Sequence, residues 1–290
     1  MFIAHKNDLL NQSNVSLIQF DDRKFVSKDD NLYRLFNNVC PHQGSLLVQK
    51  ESCDIKCKYH GWAWDKNGNP ISNGTTKMPN EFNIKPKLLN VQKDLIFTTQ
   101  VNLEAVSNID LSHMLLVEKR IDQVNANYRT IMDVFLDVDH IPVVHKDLYK
   151  NIGIAEFADV NWKYYDWGNI QLVNKSIDYN GEFKTTLLGI AEERLSAFWI
   201  AMYPYTMIEW QPGALFITVC KPSADNLTAV SVFKYRDLRY NDLNWKINSS
   251  IWETAWEQDK DLCKGIVNIN SKFLEESKLH FRQWLKDNNE

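Results

Sequence analysis

The chain has 290 residues, of which 44% are hydrophobic and 24% are charged, a composition that suits one large or two modest globular domains. Its formal net charge is −4 and it has no long basic run, which argues against nucleic acid or an anionic membrane surface as a partner. The N-terminal residues lack the apolar run of a signal peptide, and no apolar run elsewhere is long enough to span a bilayer.

Short alternating apolar runs separated by Asp/Asn turns occupy the first hundred residues. This pattern predicts antiparallel hairpins, with strands at 15–20, 24–26, 32–36 and 91–97. Residues 1–11, ahead of these strands, are interpreted as a short start or a partner-facing arm. We therefore expect a small all-β domain over residues 1–103.

Within this domain, two short loops each carry one cysteine and one histidine. Cys40 and His42 are two apart, and Cys57 and His60 are three apart. Such a set can hold a [2Fe–2S] cluster, with the thiolates on one iron and the imidazoles on the other. Cys2His2 is also a common zinc set, although zinc fingers usually pair Cys with Cys and His with His. Cys53 has no histidine at a matching spacing and is expected to be a free thiol.

Residues 104–129 are expected to connect this domain to the next, and apolar positions 131, 134, 135 and 138 then predict a helix. His140 and His145 follow, and on an ideal helix they would be about 140° apart in rotation. Pro142 lies between them and breaks or distorts the helix, which allows His145 to turn back towards His140. Two neutral imidazoles side by side suit Fe(II), Zn(II) or Cu(II). The alternative is that both histidines cap the end of a helix.

A sheet is predicted over residues 154–240. The runs have strand lengths and are separated by turn-like breaks, and they lie at 170–173, 185–188, 196–203, 207–210, 215–220 and 228–233. Aromatic residues on these strands either line a substrate pocket or pack in the core.

From Asn241 onward the chain is predicted to be helical. Residues at steps of four and three define one face of this helix, namely Trp252, Trp256, Asp259, Cys263 and Ile266. Burying an unpaired carboxylate is costly. Asp259 is therefore expected either to form a buried salt bridge or to bind a metal.

The cysteines stand at positions 40, 53, 57, 220 and 263. A sparse, odd-numbered set does not form a disulfide framework and is typical of a reducing compartment. We expect the protein in the cytoplasm.

Taken together, these motifs resemble one family. The stretch Cys-Pro-His-Gln-Gly … Cys-Lys-Tyr-His-Gly-Trp is similar to the Rieske domain of ring-hydroxylating oxygenases. Asp-x3-Asp-x2-His-x4-His, from Asp133 to His145, resembles the mononuclear-iron motif of the same family, and Gln-Asp-x3-Cys at 258–263 resembles its late segment. The resemblance departs at Gln43, where the family often has arginine, and at Asp133, where it usually has asparagine.

The resemblance implies a ligand set and a fold. It implies a [2Fe–2S] cluster on Cys40, His42, Cys57 and His60, and a mononuclear Fe(II) on a 2-His-1-carboxylate facial triad of His140, His145 and Asp259. The implied fold is α+β: an all-β Rieske domain over 1–103, then a catalytic domain over 104–290. The catalytic domain is of the helix-grip (START/Bet v1-like) type, in which a curved antiparallel sheet wraps a long helix.

The resemblance also implies how electrons would reach the iron. Family members are usually trimers, and Asp137 occupies the position of a carboxylate that bridges a metal histidine and a cluster histidine of the neighbouring subunit. A carboxylate in such a position orients an imidazole and raises its basicity. Asp137 is thus predicted to be the inter-subunit electron-transfer bridge of a homotrimer.

The implied function is that of a terminal oxygenase component. A ferredoxin or flavin reductase, fed by NAD(P)H, would supply electrons, and O2 would hydroxylate or demethylate a small organic substrate. The alternative is a non-catalytic Rieske electron-transfer protein with an attached ligand-binding domain. The sequence carries no clear code for the substrate.

Overall fold

The computed structural model describes residues 1–9, 15–18, 21–29, 31–49, 55–71, 79, 82–148, 160–173, 197–222, 226–266 and 275–290. The chain forms two compact units, Phe2–Leu103 and Glu104–Glu290, with Met1 grouped with the second. Cys53 and the strand expected at 185–188 lie outside the described residues. In the described part of the chain, no helix combines the length and the apolar character that crossing a bilayer requires.

The first unit is built from short antiparallel strands in three small sheets. Its strands are β1 Phe2–His5, β2 Val15–Ile18, β3 Asp21–Asp29, β4 Leu32–Asn37, β5 Ile55–Lys56, β6 Ala63–Trp64, β7 Pro70–Ile71, β8 Lys87–Leu88, β9 Asn90–Gln92 and β10 Leu95–Phe97. The sheet orders are β2-β3-β4-β8, β5-β6-β7 and β1-β10-β9. The predicted all-β character of this unit is confirmed.

Two local details of this unit differ from expectation. The segment interpreted as a short start or a partner-facing arm contains β1, which pairs with β10 and is buried along its whole length, so residues 2–5 are not an arm. The single closing strand expected at 91–97 is instead the hairpin β9–β10, because Lys93 and Asp94 both take left-handed backbone angles, with φ of 53° and 62°. Two such residues in succession are characteristic of a tight two-residue hairpin turn.

The second unit is one antiparallel sheet with helices. Its elements are β11 Met114–Val124, α1 Tyr128–Leu136, α2 Ile141–Val144, β12 Val160–Tyr165, β13 Gly168–Val173, β14 Ala197–Met202, β15 Thr206–Gln211, β16 Ala214–Pro222, β17 Thr228–Asp237, α3 Asp242–Gly265 and α4 Glu276–Asp287. The seven strands lie in the order β11-β17-β16-β15-β14-β13-β12. Trp252 of the long helix α3 stacks on Phe216 of β16, with ring centroids 5.1 Å apart. The predicted α+β fold, a sheet carrying a long helix, is confirmed.

Strand β11 corrects the expectation that residues 104–129 only connect the two domains. It pairs with β17 over nearly its whole length. Its outward positions are exposed at every second residue, which is the alternation of a half-buried strand. Leu115, Val117 and Ile121 lie on that exposed side, so hydrophobicity alone did not reveal which face was buried.

Candidate metal centres

The two Cys/His loops of the first unit share one backbone design. In the first loop the amide of Cys40 donates to the carbonyl of Ser45 (2.7 Å), and the amide of Gly44 donates to the carbonyl of Cys40 (2.9 Å). In the second loop Gly61 donates to Cys57 in the same way, also at 2.9 Å. Both glycines have φ of +74°, a left-handed angle that glycine adopts without steric cost. Each loop thereby turns its cysteine and its histidine towards the other loop.

The four side chains meet at the loop tips. The thiols of Cys40 and Cys57 are buried, free of disulfides, and within hydrogen-bonding reach of each other. His42 and His60 are exposed, and their Nδ1 atoms are 3.1 Å apart. Burial raises the pKa of Cys40, whereas the amide donors of Tyr59 and His60 outweigh burial and lower the pKa of Cys57. Two thiols on the inner side and two imidazoles on the outer side fit the donor set of a Rieske [2Fe–2S] cluster.

The first loop is also held by Asn38, which the sequence did not single out. Asn38 is fully buried, and its side-chain oxygen accepts from the amides of Leu47 (3.0 Å) and Val48 (2.8 Å). Its side-chain nitrogen donates to the carbonyl of Val48 at 2.7 Å. One amide side chain thus closes the loop that carries Cys40 and His42.

In the second unit the structure brings His140, His145 and Asp259 together. The Nε2 atoms of the two histidines are 3.2 Å apart. They lie 3.3 Å and 3.1 Å from Oδ1 of Asp259. Neighbouring ligands of an octahedral ion bound at about 2.1 Å are about 3.0 Å apart, so this triangle has the size of one face of such a site. The predicted helix break at Pro142 is wrong, because α1 already ends at Leu136. Pro142 lies in the first turn of the short helix α2, where proline is tolerated, and His140 and His145 flank that helix.

The second ring nitrogen of each histidine already has an oxygen partner. Nδ1 of His145 is 2.7 Å from Oε1 of Gln258, and Nδ1 of His140 contacts the main-chain carbonyl of Asp137. Because each Nδ1 must donate its proton to that oxygen, each neutral ring presents an Nε2 lone pair towards Asp259. Oδ1 of Asp259 is buried, and no described hydrogen bond satisfies it. Three lone-pair donors converging without a proton between them fit a bound cation.

The charges at this site reinforce one another. Asp259 is partly buried, which raises its pKa, but its contacts with the two histidines outweigh burial and lower that pKa. Burial lowers the pKa of His145, yet the neighbouring carboxylate of Asp259 raises it overall. A carboxylate kept ionised beside two imidazoles suits a divalent metal such as Fe(II).

Asp137 differs in one contact from what the resemblance implied. Its carbonyl, rather than its carboxylate, meets the ring of His140. The carboxylate forms a 2.7 Å salt bridge with Lys278 of α4 and accepts from the amides of Asp139 and His140. The side chain remains 22% exposed. Asp137 therefore touches a candidate metal ligand and still reaches solvent.

Two indole groups attach helix α3, which carries Asp259, to the sheet. Trp252 donates to Oε1 of Glu209 on β15, and Trp256 donates to Oδ2 of Asp122 on β11, both at 2.8 Å. These bonds hold one face of α3 against the sheet. Asp259 lies on this face, three residues after Trp256. The stripe predicted from the sequence is thus the face that packs on the sheet from Trp252 to Cys263, whereas Ile266 lies past the end of α3 and is exposed.

A cavity of about 120 Å³ opens directly beside the three candidate ligands. Its wall is mostly apolar and aromatic and includes Phe135, Trp199 and Trp252. Glu209 contributes a carboxylate, and among the described residues that line the cavity there is no lysine or arginine. The sequence had identified no specific pocket residues. Glu209 and Gln258 acquire their roles only through tertiary packing.

Comparisons with known proteins find two family matches along the chain. The Rieske [2Fe-2S] domain family matches residues 1–84, and the ring hydroxylating alpha subunit (catalytic domain) family matches residues 102–283. The chain is 21% identical to the putrescine 2-hydroxylase of Ralstonia nicotianae (strain ATCC BAA-1114 / GMI1000), over 71% of this chain and 60% of that protein. It is also 21% identical to the carnitine monooxygenase oxygenase subunit of Acinetobacter pittii (strain PHEA-2), over 75% of this chain and 62% of that protein.

Among solved structures, the chain is similar to a quaternary ammonium Rieske monooxygenase described in connection with carnitine oxidation and inter-subunit electron transfer. The TM-score is 0.71 at 15% identity, covering 99% of this chain and 88% of that one. At this identity the likeness shows the fold alone. The alignments span about three-fifths of the length of the curated relatives.

Proposed function

We propose that this chain, which belongs to the ring-hydroxylating oxygenase alpha-subunit family and carries a Rieske domain, is a terminal oxygenase component. In this proposal it uses O2 to hydroxylate or demethylate a small organic substrate. The observation that carries the proposal is the convergence of His140, His145 and Asp259 beside an apolar cavity. A 2-His-1-carboxylate set leaves open coordination positions on one side of Fe(II), and here that side is next to a space of substrate size.

The cofactors of the family are a [2Fe–2S] cluster and a mononuclear iron. When bound, the cluster supplies single electrons and the iron supplies a site for O2 activation. We assign the cluster to Cys40, His42, Cys57 and His60, and the iron to the three side chains above. Both assignments rest on the donor sets and distances just described.

The residues around the iron site have distinct tasks in this proposal. Gln258 and the carbonyl of Asp137 hold the two imidazoles in the tautomer that turns Nε2 towards the metal. The apolar wall of the cavity excludes water and positions the substrate. Asp137 connects this site to the cluster of a neighbouring subunit. Its contact with His140 and its partial exposure support that role.

The partners follow from the same proposal. A ferredoxin or a flavin reductase fed by NAD(P)H would reduce the cluster, whose two histidines are exposed. We propose a homotrimer in the cytoplasm, in which electrons cross from one subunit to the next. Nothing in the charge of the chain favours nucleic acid.

The alternative, a Rieske electron carrier with a non-catalytic second domain, is not favoured. A carrier has no need of a second metal site, yet Asp259 has a buried Oδ1 that no described hydrogen bond satisfies and that faces two imidazoles. Burying such a carboxylate without a cation is costly. The family matches also cover the catalytic domain.

Iron content and a single turnover under 18O2 test the proposal together. The purified protein should hold about three iron atoms per chain, two in the cluster and one on the triad. After chemical reduction, it is mixed with fractionated small metabolites and exposed to 18O2, and products are identified by mass spectrometry. We expect 18O-labelled product or, if a methyl group is removed, formaldehyde, whose oxygen exchanges with water and which is therefore detected by its release rather than by its label.

Two substitutions on α3 sharpen this test. Asp259→Ala should lose about one iron per chain and all labelled product, because a facial triad without its carboxylate binds the metal poorly. Asp261→Ala is the matched control, since Asp261 is exposed on the opposite side of the helix and pairs only with Lys264 among the partners described. A wild-type protein with about two irons and no labelled product would establish the carrier instead.

A further inference from the structure

A second cavity of about 60 Å³ adjoins the triad. Asp259 lines both this cavity and the larger one, whereas His140 and His145 line the larger one alone. The wall of the second cavity comes from α1, β15, β16 and α3, and apolar side chains form most of it. Asp259 is therefore part of the partition between the two cavities.

Thr218 of β16 places a hydroxyl in the wall of the second cavity. The residue is 1% exposed, and no described hydrogen bond satisfies its Oγ1. Strand pairing sets it opposite Met207 and Val232, whose side chains are apolar. Burying a hydroxyl without a partner costs free energy, and valine would suit this strand position without that cost. The Thr218 hydroxyl thus requires a partner from within the cavity.

Three further polar groups line the same wall. Asp259 and Glu209 contribute carboxylates, and Cys263 contributes a thiol. A carboxylate has about four lone-pair sites, so each of the two can accept hydrogen bonds in addition to the contacts it already makes. Burial raises the pKa of the Cys263 thiol to about 12, which keeps the thiol protonated at neutral pH. Since the thiolate is the form that binds metals, these groups do not make a second metal site.

The volume of the cavity and its polar groups together identify the ligand. A water molecule occupies about 30 Å³ in the liquid, so a cavity of about 60 Å³ has room for about two. A buried water needs two to four polar partners, and Thr218, Asp259 and Glu209 supply a donor and several acceptors around this space. A dry cavity would leave the Thr218 hydroxyl without a partner, which is the costly alternative.

We propose that the second cavity is a binding site for about two water molecules, which link the hydroxyl of Thr218 to the carboxylate of Asp259. Thr218 is then a positioning residue, because it acts on a candidate metal ligand through water and touches neither metal nor substrate. Hydrogen bonds to a ligating carboxylate hold it in the orientation that the metal requires. The effect on the metal rests on the proposed function, which makes Asp259 an iron ligand.

Crystals of the holoenzyme, at a resolution that shows ordered water, test the water site directly. We expect electron density for water about 2.5–3.0 Å from Oγ1 of Thr218. We expect no xenon in the second cavity after pressurisation, because xenon binds cavities that are apolar and dry. In Thr218→Val, which keeps the shape of the side chain and removes the hydroxyl, the water beside residue 218 should be lost. A wild-type cavity that binds xenon and shows no water would overturn the proposal.

The denaturation midpoint of Thr218→Val tests the same point in solution. If the hydroxyl is bound to water, its loss leaves that water short of a partner, and the midpoint should fall. If the hydroxyl has no partner, valine removes an uncompensated polar group, and the midpoint should rise. We expect it to fall.

Thr206→Val is the matched control for this substitution. Thr206 is as buried as Thr218, and its Oγ1 likewise has no described hydrogen bond. It lines neither cavity, and it follows the opposite face of the sheet because it is adjacent to Met207 on β15. A midpoint of Thr218→Val equal to or above that of Thr206→Val would contradict the water site.

Retention of the mononuclear iron against a competing chelator tests the positioning role. Thr218→Val should bind this iron about tenfold more weakly than wild type. Thr218→Ser, which keeps the hydroxyl, should be close to wild type, and Thr206→Val should be unchanged. Equal retention in Thr218→Val and wild type would overturn the positioning role.

These measurements separate this inference from the proposed function. If wild-type protein holds no mononuclear iron, the oxygenase proposal fails, and the crystals and midpoints still decide whether the cavity holds water. If wild-type protein holds that iron and its second cavity is dry, the water site is wrong and the oxygenase proposal stands.

Discussion

At the scale of single residues, the proposed iron site depends on side chains outside the candidate ligand set. Gln258 lies on α3, one residue before Asp259. Its Oε1 accepts a hydrogen bond from Nδ1 of His145 at 2.7 Å. This one contact selects the tautomer in which Nε2 of His145 is a lone-pair donor. Neighbouring side chains of this kind commonly change metal affinity by about 10–100-fold.

We therefore predict that Gln258→Leu lowers the affinity for the mononuclear iron by about 10–100-fold and leaves the [2Fe–2S] cluster intact. The measurement is iron retained against a competing chelator, with the visible absorption of the cluster followed in the same sample. Gln258→Glu, which keeps an oxygen acceptor, should retain most of the affinity. Gln283→Leu on the exposed side of α4 is a control for the loss of a surface amide. Unchanged iron retention in Gln258→Leu would show that His145 is oriented by other contacts.

At the scale of elements, the first cluster loop is closed by one buried amide. Asn38 satisfies two amides and one carbonyl of residues 47 and 48. An unsatisfied buried polar group costs about 1–3 kcal/mol, so removal of this side chain leaves up to three such groups. The loop that carries Cys40 and His42 would lose the contact that holds its two ends together.

We predict that Asn38→Ala destabilises the first unit by about 2–4 kcal/mol and reduces cluster occupancy, without loss of the mononuclear iron. Iron and acid-labile sulfide per chain are the measurements, together with chemical denaturation followed through the cluster absorption. Asn67→Ala, in an exposed turn of the same unit, serves as the control because its described contact is through its main-chain amide. A cluster content equal to that of wild type would mean that the loop is held mainly by its own backbone turn.

The extent to which the sequence predicted these elements follows from the range of the interactions involved. Cys40, His42, Cys57 and His60, like His140 and His145, were predictable because each ligand pair is local in the chain. Asp259 was predictable because a charge inside an apolar helical stripe is costly to bury. The role of Gln258 was not, since its partner His145 lies 113 residues away.

Two further features that the sequence did not predict depend on how the strands are arranged in the sheet. Glu209 joins the cavity only because β14 and β15 pair so that it stands opposite Trp199, and register is a tertiary property. β11 was assigned to a connection because it is an edge strand with apolar residues on its exposed side. In both cases the local sequence was compatible with more than one structure.

At the scale of the whole molecule, each proposed cluster must pass its electron to a proposed iron site, either in its own chain or in a neighbouring one. His42 and His60 are exposed at the tip of the cluster loops, so their edges are open to another protein surface. Asp137 contacts His140 and is itself partly exposed. These features support transfer between subunits of the proposed trimer, in which each interface would join the cluster of one chain to the iron site of the next.

Mixed trimers provide a quantitative prediction of this arrangement. We expect Cys57→Ser, which removes a cluster ligand, and Asp259→Ala, which removes an iron ligand, each to be inactive alone. When the two are co-expressed with different tags and purified as mixed assemblies, product formation should return. In every cyclic trimer that contains both variants, one interface in three joins an intact cluster to an intact iron site, so activity per subunit should approach about a third of wild type. Transfer within a single chain would instead give no activity in any mixture. The same variants purified separately and then combined, without subunit exchange, should stay inactive, which excludes electron exchange between freely diffusing molecules.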